Sequence, residues 1–257
     1  MIDASAPVEV FEEIDSTILE ARRRAERGEV KPVWLVAKRQ TAGRGRRGRA
    51  WSSFDGNLLA TLLFTSHEPP AKIALLGFAT GIALAETIEA IIGGGRTKLK
   101  WPNDVFIDGM KACGIMLDSG PGVLGPDVGS DGAGSWVALA FGVNLATAPE
   151  GLDQPTISLR DVLPPDAPAP APLAFLAQMR PRRENWAHRI ESDGFEPLRA
   201  AWLARAHGLG QAARVLQGEQ TLEGRIVGLS PRGELELETS EGRRLIAAGD
   251  VLLPSAA

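Results

Sequence analysis

The stretch Gly43-Arg44-Gly45-Arg46-Arg47-Gly48 has the spacing of a dinucleotide-binding turn, yet it runs into Ala50-Trp51-Ser52-Ser53-Phe54-Asp55-Gly56 and then an apolar, strand-like run over 57–64. A dinucleotide-binding turn needs a helix opening at its glycines, because the helix N-terminus holds the pyrophosphate. Here a strand pattern stands in the helix's place, so the match is false and a doubly wound parallel sheet is not expected. Glu68 lies roughly twenty residues on, where a ribose-binding acid would be, but without the helix its position means little. No GxxxxGK(S/T) phosphate loop is present.

Outward from that loop, short strands outnumber helices. Strand patterns cover 8–11, 33–38, 57–64, 97–101, 105–107, 111–117 and 136–145. Helical periodicity covers 17–27, with Thr17 and Glu20 spaced as a capping box, and 71–92, 173–190 and 195–207. Asp108-Gly109 is a hairpin signal between two strands. Several strands joined by hairpins predict a mixed, largely antiparallel sheet with packed helices, an α+β class. Two connections are irregular: the Gly/Asp/Ser/Pro run 119–135, read as a hairpin tip, and 164–172, which alternates proline with alanine and reads as an extended tether. After Gly210 the pattern changes to short alternating segments at 221–229, 234–239 and 243–247, broken by Pro231-Arg232-Gly233 and Glu241-Gly242. These predict a small β-barrel domain over 209–257 behind a catalytic-sized domain over 1–208.

Residues 38–49 hold three glycines and six cations with no acid, in a chain of 257 residues whose formal net charge is −4. Glycine lets a backbone approach phosphate closely, and forked guanidinium groups satisfy phosphate or carboxylate oxygens in pairs. Taken alone the loop admits three readings: a polyphosphate ligand, a nucleic-acid patch or a solvated loop. Aromatic residues are not interleaved with the cations, which disfavours stacking of single-stranded nucleic acid.

Composition is that of a globular chain, 44% hydrophobic and 23% charged. The lone Cys113 cannot form an internal disulfide, and the N-terminus lacks the basic and apolar regions of a secretory signal, which suits a reducing cytoplasm. The longest nearly apolar run, 73–85, is shorter than the ~20 residues of a membrane span and reads as a buried amphipathic helix, so no membrane partner is expected.

Two further clusters stand out. Lys100-Trp101-Pro102-Asn103-Asp104 is followed across the hairpin by Lys111-Ala112-Cys113-Gly114-Ile115, and Phe141-Gly142-Val143-Asn144 ends a buried strand with an uncharged amide. A lysine beside a glycine next to an Asn-Asp loop suits an acid-anhydride site, where Lys⁺ sits between a carboxylate and a phosphate. Turn chemistry alone would also account for these residues.

In this order the segments resemble biotin protein ligase, the biotin–acetyl-CoA-carboxylase ligases of the biotin/lipoate ligase superfamily. The pieces are Gly43 to Gly48 with Trp51 just after, Lys100 to Asp104, Lys111 with Gly114, and Gly142-Val143-Asn144. The resemblance covers nearly the whole chain and does not include a helix-turn-helix extension, so it corresponds to the short form without a DNA-binding domain. It implies a class II synthetase-like catalytic domain followed by a small barrel. It also implies that biotin carboxylate attacks the α-phosphorus of ATP and that a lysine of a biotin carboxyl carrier protein then attacks the mixed anhydride.

By resemblance, Ser16, Thr17, Gln40, Gly43, Arg44, Gly114 and Gly142 line the biotin site. Lys111, Arg46 and Arg44 carry the chemistry, and Arg46, Arg47, Trp51 and Asn144 take ATP. Asn103 and Asp104 lie near the triphosphate and its Mg²⁺. A homodimer is left open, and no DNA partner is implied. Four positions depart from the family pattern: Ile18 where Asn is usual, Ala140 where Gly is usual, Cys113 where a small apolar residue is usual, and the long 119–135 connection. Lipoate ligation or octanoyl transfer is the rival chemistry, the latter through a Cys113 thiolate beside Lys111. A non-catalytic binder of biotin or nucleic acid is the rival of another class.

Overall fold

The computed structural model describes residues 6–122 and 134–253. Its elements run β1 (Val8–Ile14), α1 (Thr17–Glu26), β2 (Val33–Gln40), a 3-10 turn (Arg46–Gly48), β3 (Leu58–Ser66), α2 (Pro70–Ile92), β4 (Thr97–Lys100), β5 (Asp104–Ile107), β6 (Met110–Pro121), β7 (Ser135–Val143), α3 (Leu159–Val162), α4 (Pro172–Asp193) and α5 (Glu196–Leu203). Five strands follow: β8 (Ala212–Gln217), β9 (Gln220–Leu229), β10 (Leu235–Thr239), β11 (Gly242–Ile246) and β12 (Asp250–Leu252). As expected, a strand follows the arginine loop.

The large sheet has the order β1-β2-β3-β7-β6-β5-β4. β1 and β2 pair in parallel across the α1 crossover, and every other ladder is antiparallel. The mixed sheet follows from its connections, since Asp108 at φ 49° and Gly109 at φ 82° make the tight turn that lets β5 and β6 lie side by side. β6 runs on to Pro121 and β7 begins at Ser135, so the ends of the expected hairpin tip are strand, while 123–133 lie outside the described residues.

Strand alternation sends side chains to two cores. Val33, Leu35, Leu63, Ala138 and Ala140 meet Ile18 and Ala21 of α1 on one face. Trp34, Val36, Leu62, Phe64, Leu139 and Phe141 enter the main core on the other, shared with α2, α4 and α5. α2 is long and apolar enough to cross a membrane by length and composition, but most of it is buried inside the protein. Its polar Glu86 and Glu89 take Trp186, Thr97 and Arg205, so it is a core helix. Each fully buried Ile or Leu such as Ile82, Leu84 and Ile88 contributes about 1.5–3 kcal/mol. One oddity of this core is Arg183 on α4, fully buried over the Phe64 ring with none of its guanidinium nitrogens hydrogen-bonded.

Two expectations change. Ser16, not Thr17, is the N-cap of α1, and no capping side-chain bond forms, because Glu20 is drawn to Arg23 and Arg24. The 164–172 connection is clasped rather than free, with Arg160 donating to the carbonyls of Pro164, Pro165 and Ala167.

The C-terminal sheet foreseen from the turn signals is present, antiparallel, in the order β11-β10-β9-β8-β12. Two of its strands, β8 and the three-residue β12, were not among the segments expected from the sequence. Trp101 Nε1 donates to Gly233 O at 3.1 Å and Arg199 Nε to Leu229 O at 2.6 Å, fixing this sheet against the large one.

Candidate active site

A cavity at the edge of the arginine loop has a glycine pair as its floor. Gly114 on β6 lies opposite Gly142 on β7. A Cβ on Gly142 would stand 2.3 Å from Trp51 Cε2, and one on Gly114 would stand 2.8 Å from Trp51 Cζ3. The indole therefore rests directly on the two strands where any side chain would displace it.

Lys111 reaches the same face through a bulge. Val105 pairs with Cys113 but Phe106 pairs with Lys111, so Ala112 is an extra residue on β6. Simple alternation would put Lys111 and Cys113 together. The bulge instead turns Lys111 and Gly114 to the cavity and Cys113 into the core. Lys111 Nζ sits 2.7 Å from Asp104 Oδ1, off a hydrogen-bond direction, so the attraction is chiefly coulombic. It also lies 5.6 Å from the centre of a Trp51 ring. Its backbone is pinned by Pro155 O and by the Ile157 amide, a pairing that brings 152–154 to the cavity rim. Nothing in the irregular sequence of that segment announced it.

The basic loop is a small hairpin. Trp51 N donates to Gly43 O at 3.0 Å, Arg44 bridges Ala50, and Gly45 N donates to Arg49 O at 2.7 Å. A Cβ on Gly43 would meet Trp51 O at 2.4 Å, so Gly43 closes the hairpin rather than lining the cavity. Arg44 and Arg46 do line it, and Arg46 Nη1 donates to Asn103 Oδ1 at 3.0 Å. Burial pulls the Arg46 guanidinium below its ordinary value, opposed by the charge of Asp250. Arg47, expected at ATP, is not brought to the cavity: it turns to Asp250, a residue the sequence reading missed.

A second group forms where α1 begins. Thr17 donates to Gln40 Oε1 from its amide at 2.8 Å and its hydroxyl at 3.1 Å, and Thr61 Oγ1 donates to Thr17 Oγ1 at 2.8 Å. Ser16, Thr17 and Gln40 line the same cavity of roughly 440 Å³ as Lys111 and Arg46. Neither Ser16 nor Thr17 makes a capping side-chain bond; the Thr17 hydroxyl is tied to Gln40 and Thr61 instead. Asn144 also borders the cavity, its Nδ2 held by Ile157 O at 3.3 Å.

Asn103 and Asp104 do not fit the Mg²⁺ role. The Asn103 oxygen accepts from Arg46, its Nδ2 donates to Ile115 O, and Asp104 faces Lys111. Among the described residues no three His, Cys, Asp or Glu side chains gather as a metal site would need.

Cys113 is fully buried, and desolvation pushes its thiol far above the ordinary value, with Asp104 adding to the rise and Lys111 opposing it more weakly. Without an accessible thiolate, acyl transfer through Cys113 has no nucleophile.

Residues 10–125 match the Biotin/lipoate A/B protein ligase family, and 208–253 match the Biotin protein ligase C terminal domain. A biotin–acetyl-CoA-carboxylase ligase of Paracoccus denitrificans is 36% identical over 92% of this chain and 96% of its own. The bifunctional ligase/repressor BirA of Bacillus spizizenii is 30% identical over 93% of this chain and 72% of its own. The structure of a biotin protein ligase from Aquifex aeolicus in complex with biotin and ATP superposes with a TM-score of 0.77, at 25% identity, over 97% of this chain and 99% of that one. With its glycine-floored cavity, its arginine hairpin and relatives of this length and identity, the chain belongs to the biotin protein ligase family of enzymes.

Proposed function

We propose that the protein activates biotin with ATP to biotinyl-adenylate and transfers the biotinyl group to a lysine of a biotin carboxyl carrier protein. The observation that carries this reading is that one cavity holds a neutral hydrogen-bonding group, Ser16, Thr17 and Gln40, together with a cationic one, Lys111, Arg44 and Arg46. Biotin has matching ends: a ureido ring that donates and accepts, and a carboxylate. Lipoate offers the carboxylate but a dithiolane that cannot use the first group, which favours biotin. The domain division is taken at 208/209, with the cavity built mainly by the first unit.

In the first step a biotin carboxylate oxygen bonds to the α-phosphorus as the bond to the leaving pyrophosphate breaks. Negative charge grows on the phosphate oxygens, where Lys111 and Arg46 stand as fixed cations. Trp51 on its glycine floor gives the acid and adenine an apolar wall, and Asn144 closes the cavity beside them. In the second step the carrier lysine amine bonds to the acyl carbon, AMP leaves with the bonding pair, and the amine loses its proton to give the amide. No step is assigned to a metal held by Asn103 or Asp104.

ATP–pyrophosphate exchange with biotin, lipoate and octanoate run in parallel tests the reading. Biotin should drive exchange, with the other two acids weak or silent. Exchange led by lipoate would overturn the substrate.

A further inference from the structure

The arginines of the loop share two duties. Arg44, Arg46 and Arg49 line the cavity, while Arg47 and Arg49 converge on Asp250 at the start of β12, so Arg49 joins the two. Each takes one carboxylate oxygen, Arg47 Nη1 at 3.1 Å from Oδ2 and Arg49 Nη2 at 3.1 Å from Oδ1. Asp250 is held firmly for this purpose. It pairs with Leu216 of β8, and a Cβ on the preceding Gly249 would stand 2.9 Å from Val215 Cγ1 and 3.1 Å from Leu216 O, so that strand lies hard against its neighbour.

The loop end of the contact needs an anchor. Arg47 sits at φ 54°, in the left-handed region that a non-glycine residue keeps only when its surroundings over-determine it. Four arginines within 44–49 also repel one another, and one carboxylate shared by two of them relieves half of that crowd.

We propose that Asp250 is a positioning residue of the adenylation reaction: by holding Arg47 and Arg49 it sets the hairpin so that Arg44 and Arg46 face the phosphate, which makes the C-terminal sheet a working part of the active site. This rests on the adenylating role proposed above. Both ion pairs are partly exposed, and contacts of that kind correspond to roughly a three- to tenfold effect together.

The test uses the full chain with Asp250→Asn, which keeps the shape and removes the charge, and Asp250→Glu, which restores it. Limited trypsin digestion reads loop order directly, since its cleavage sites at 44–49 open when the hairpin loosens. Asp250→Asn should be nicked there several times faster and show a raised KM for ATP in exchange, with kcat less affected and Tm unchanged. Asp250→Glu should recover most of both. Adding Asp250→Asn to Arg47→Gln/Arg49→Gln should change neither quantity further, and if Asp250→Asn fails to fold, Asp250→Ser, which keeps all four arginine sites, carries the test by the same two readouts. Parent-like nicking and KM in the Asn variant would overturn the proposal. Nicking needs no substrate, so a failure of the adenylating assignment would appear in the parent's exchange and leave the loop result standing.

Discussion

The glycine floor gives a sharp prediction through Gly142→Ala. The new methyl would stand 2.3 Å from Trp51 Cε2 and 2.4 Å from Nε1, where ordinary contact begins near 3.4 Å, so the indole must withdraw by roughly 1 Å. It cannot do so by moving its backbone, which is tied to Gly43 O, so the side chain alone must turn. Overpacking of this kind costs about 1–3 kcal/mol. Against it, Gly142 lies outside the left-handed region, and alanine there contributes about 0.4–1 kcal/mol by restricting the unfolded chain. The net expectation is a loss of about 1–2 kcal/mol. In a Trp51→Ala background the three nearest obstacles, all atoms of that indole, are gone and the sign reverses to a small gain. Urea unfolding followed by far-UV circular dichroism, on parent, both singles and the double, measures the coupling as about 2 kcal/mol. Equal destabilisation in both backgrounds, or a neutral Gly142→Ala in the parent, would show that the indole does not rest on the glycine pair.

Lys111→Ala should slow single-turnover adenylation by roughly a hundredfold or more, since it removes a fixed cation from the growing phosphate charge, and near-parent rates would reduce Lys111 to a partner for Asp104. Arg183→Met should stabilise the fold by about 1–3 kcal/mol in urea, because burial without a hydrogen-bond partner holds its guanidinium down to about 10 and an apolar side chain escapes that penalty. Burial, aided by Lys100 and Lys98, lowers the His207 imidazole below its ordinary 6.5. Its neutral form is therefore favoured on folding, so its contribution is complete above 6.5 and lost as pH falls toward the lowered value. Unfolding free energies at pH 8 and 5.5 should thus fall less in His207→Gln than in the parent, and parallel profiles would assign the acid sensitivity elsewhere.

Much of the fold was written locally. The helical periodicity of α2 and α4, the short continuous apolar runs of β2 and β3 and the Asp108-Gly109 turn are short-range signals, and each reports the geometry of its own segment. Lys111, Arg44 and Arg46 were legible because cations beside glycines are unusual in an acidic chain. Ser16 and Thr17 were legible only as ambiguous residues, for a hydroxyl at a helix start serves a cap or a ligand equally well until its hydrogen bonds are seen.

By itself the sequence determined the strand after the arginine loop, and with it a mixed sheet instead of a dinucleotide fold. It also determined the family and the side chains able to meet an acid and a phosphate. Only the tertiary structure decided which way those side chains point. The bulge at Ala112 is invisible along β6, because an extra residue exists only relative to the partner strand β5, yet it sends Lys111 to the cavity and Cys113 to the core. Asp250 lies about two hundred residues from the arginines it holds, at a separation over which no pattern in the chain carries information, and packing of the small sheet against the large one is what joins them.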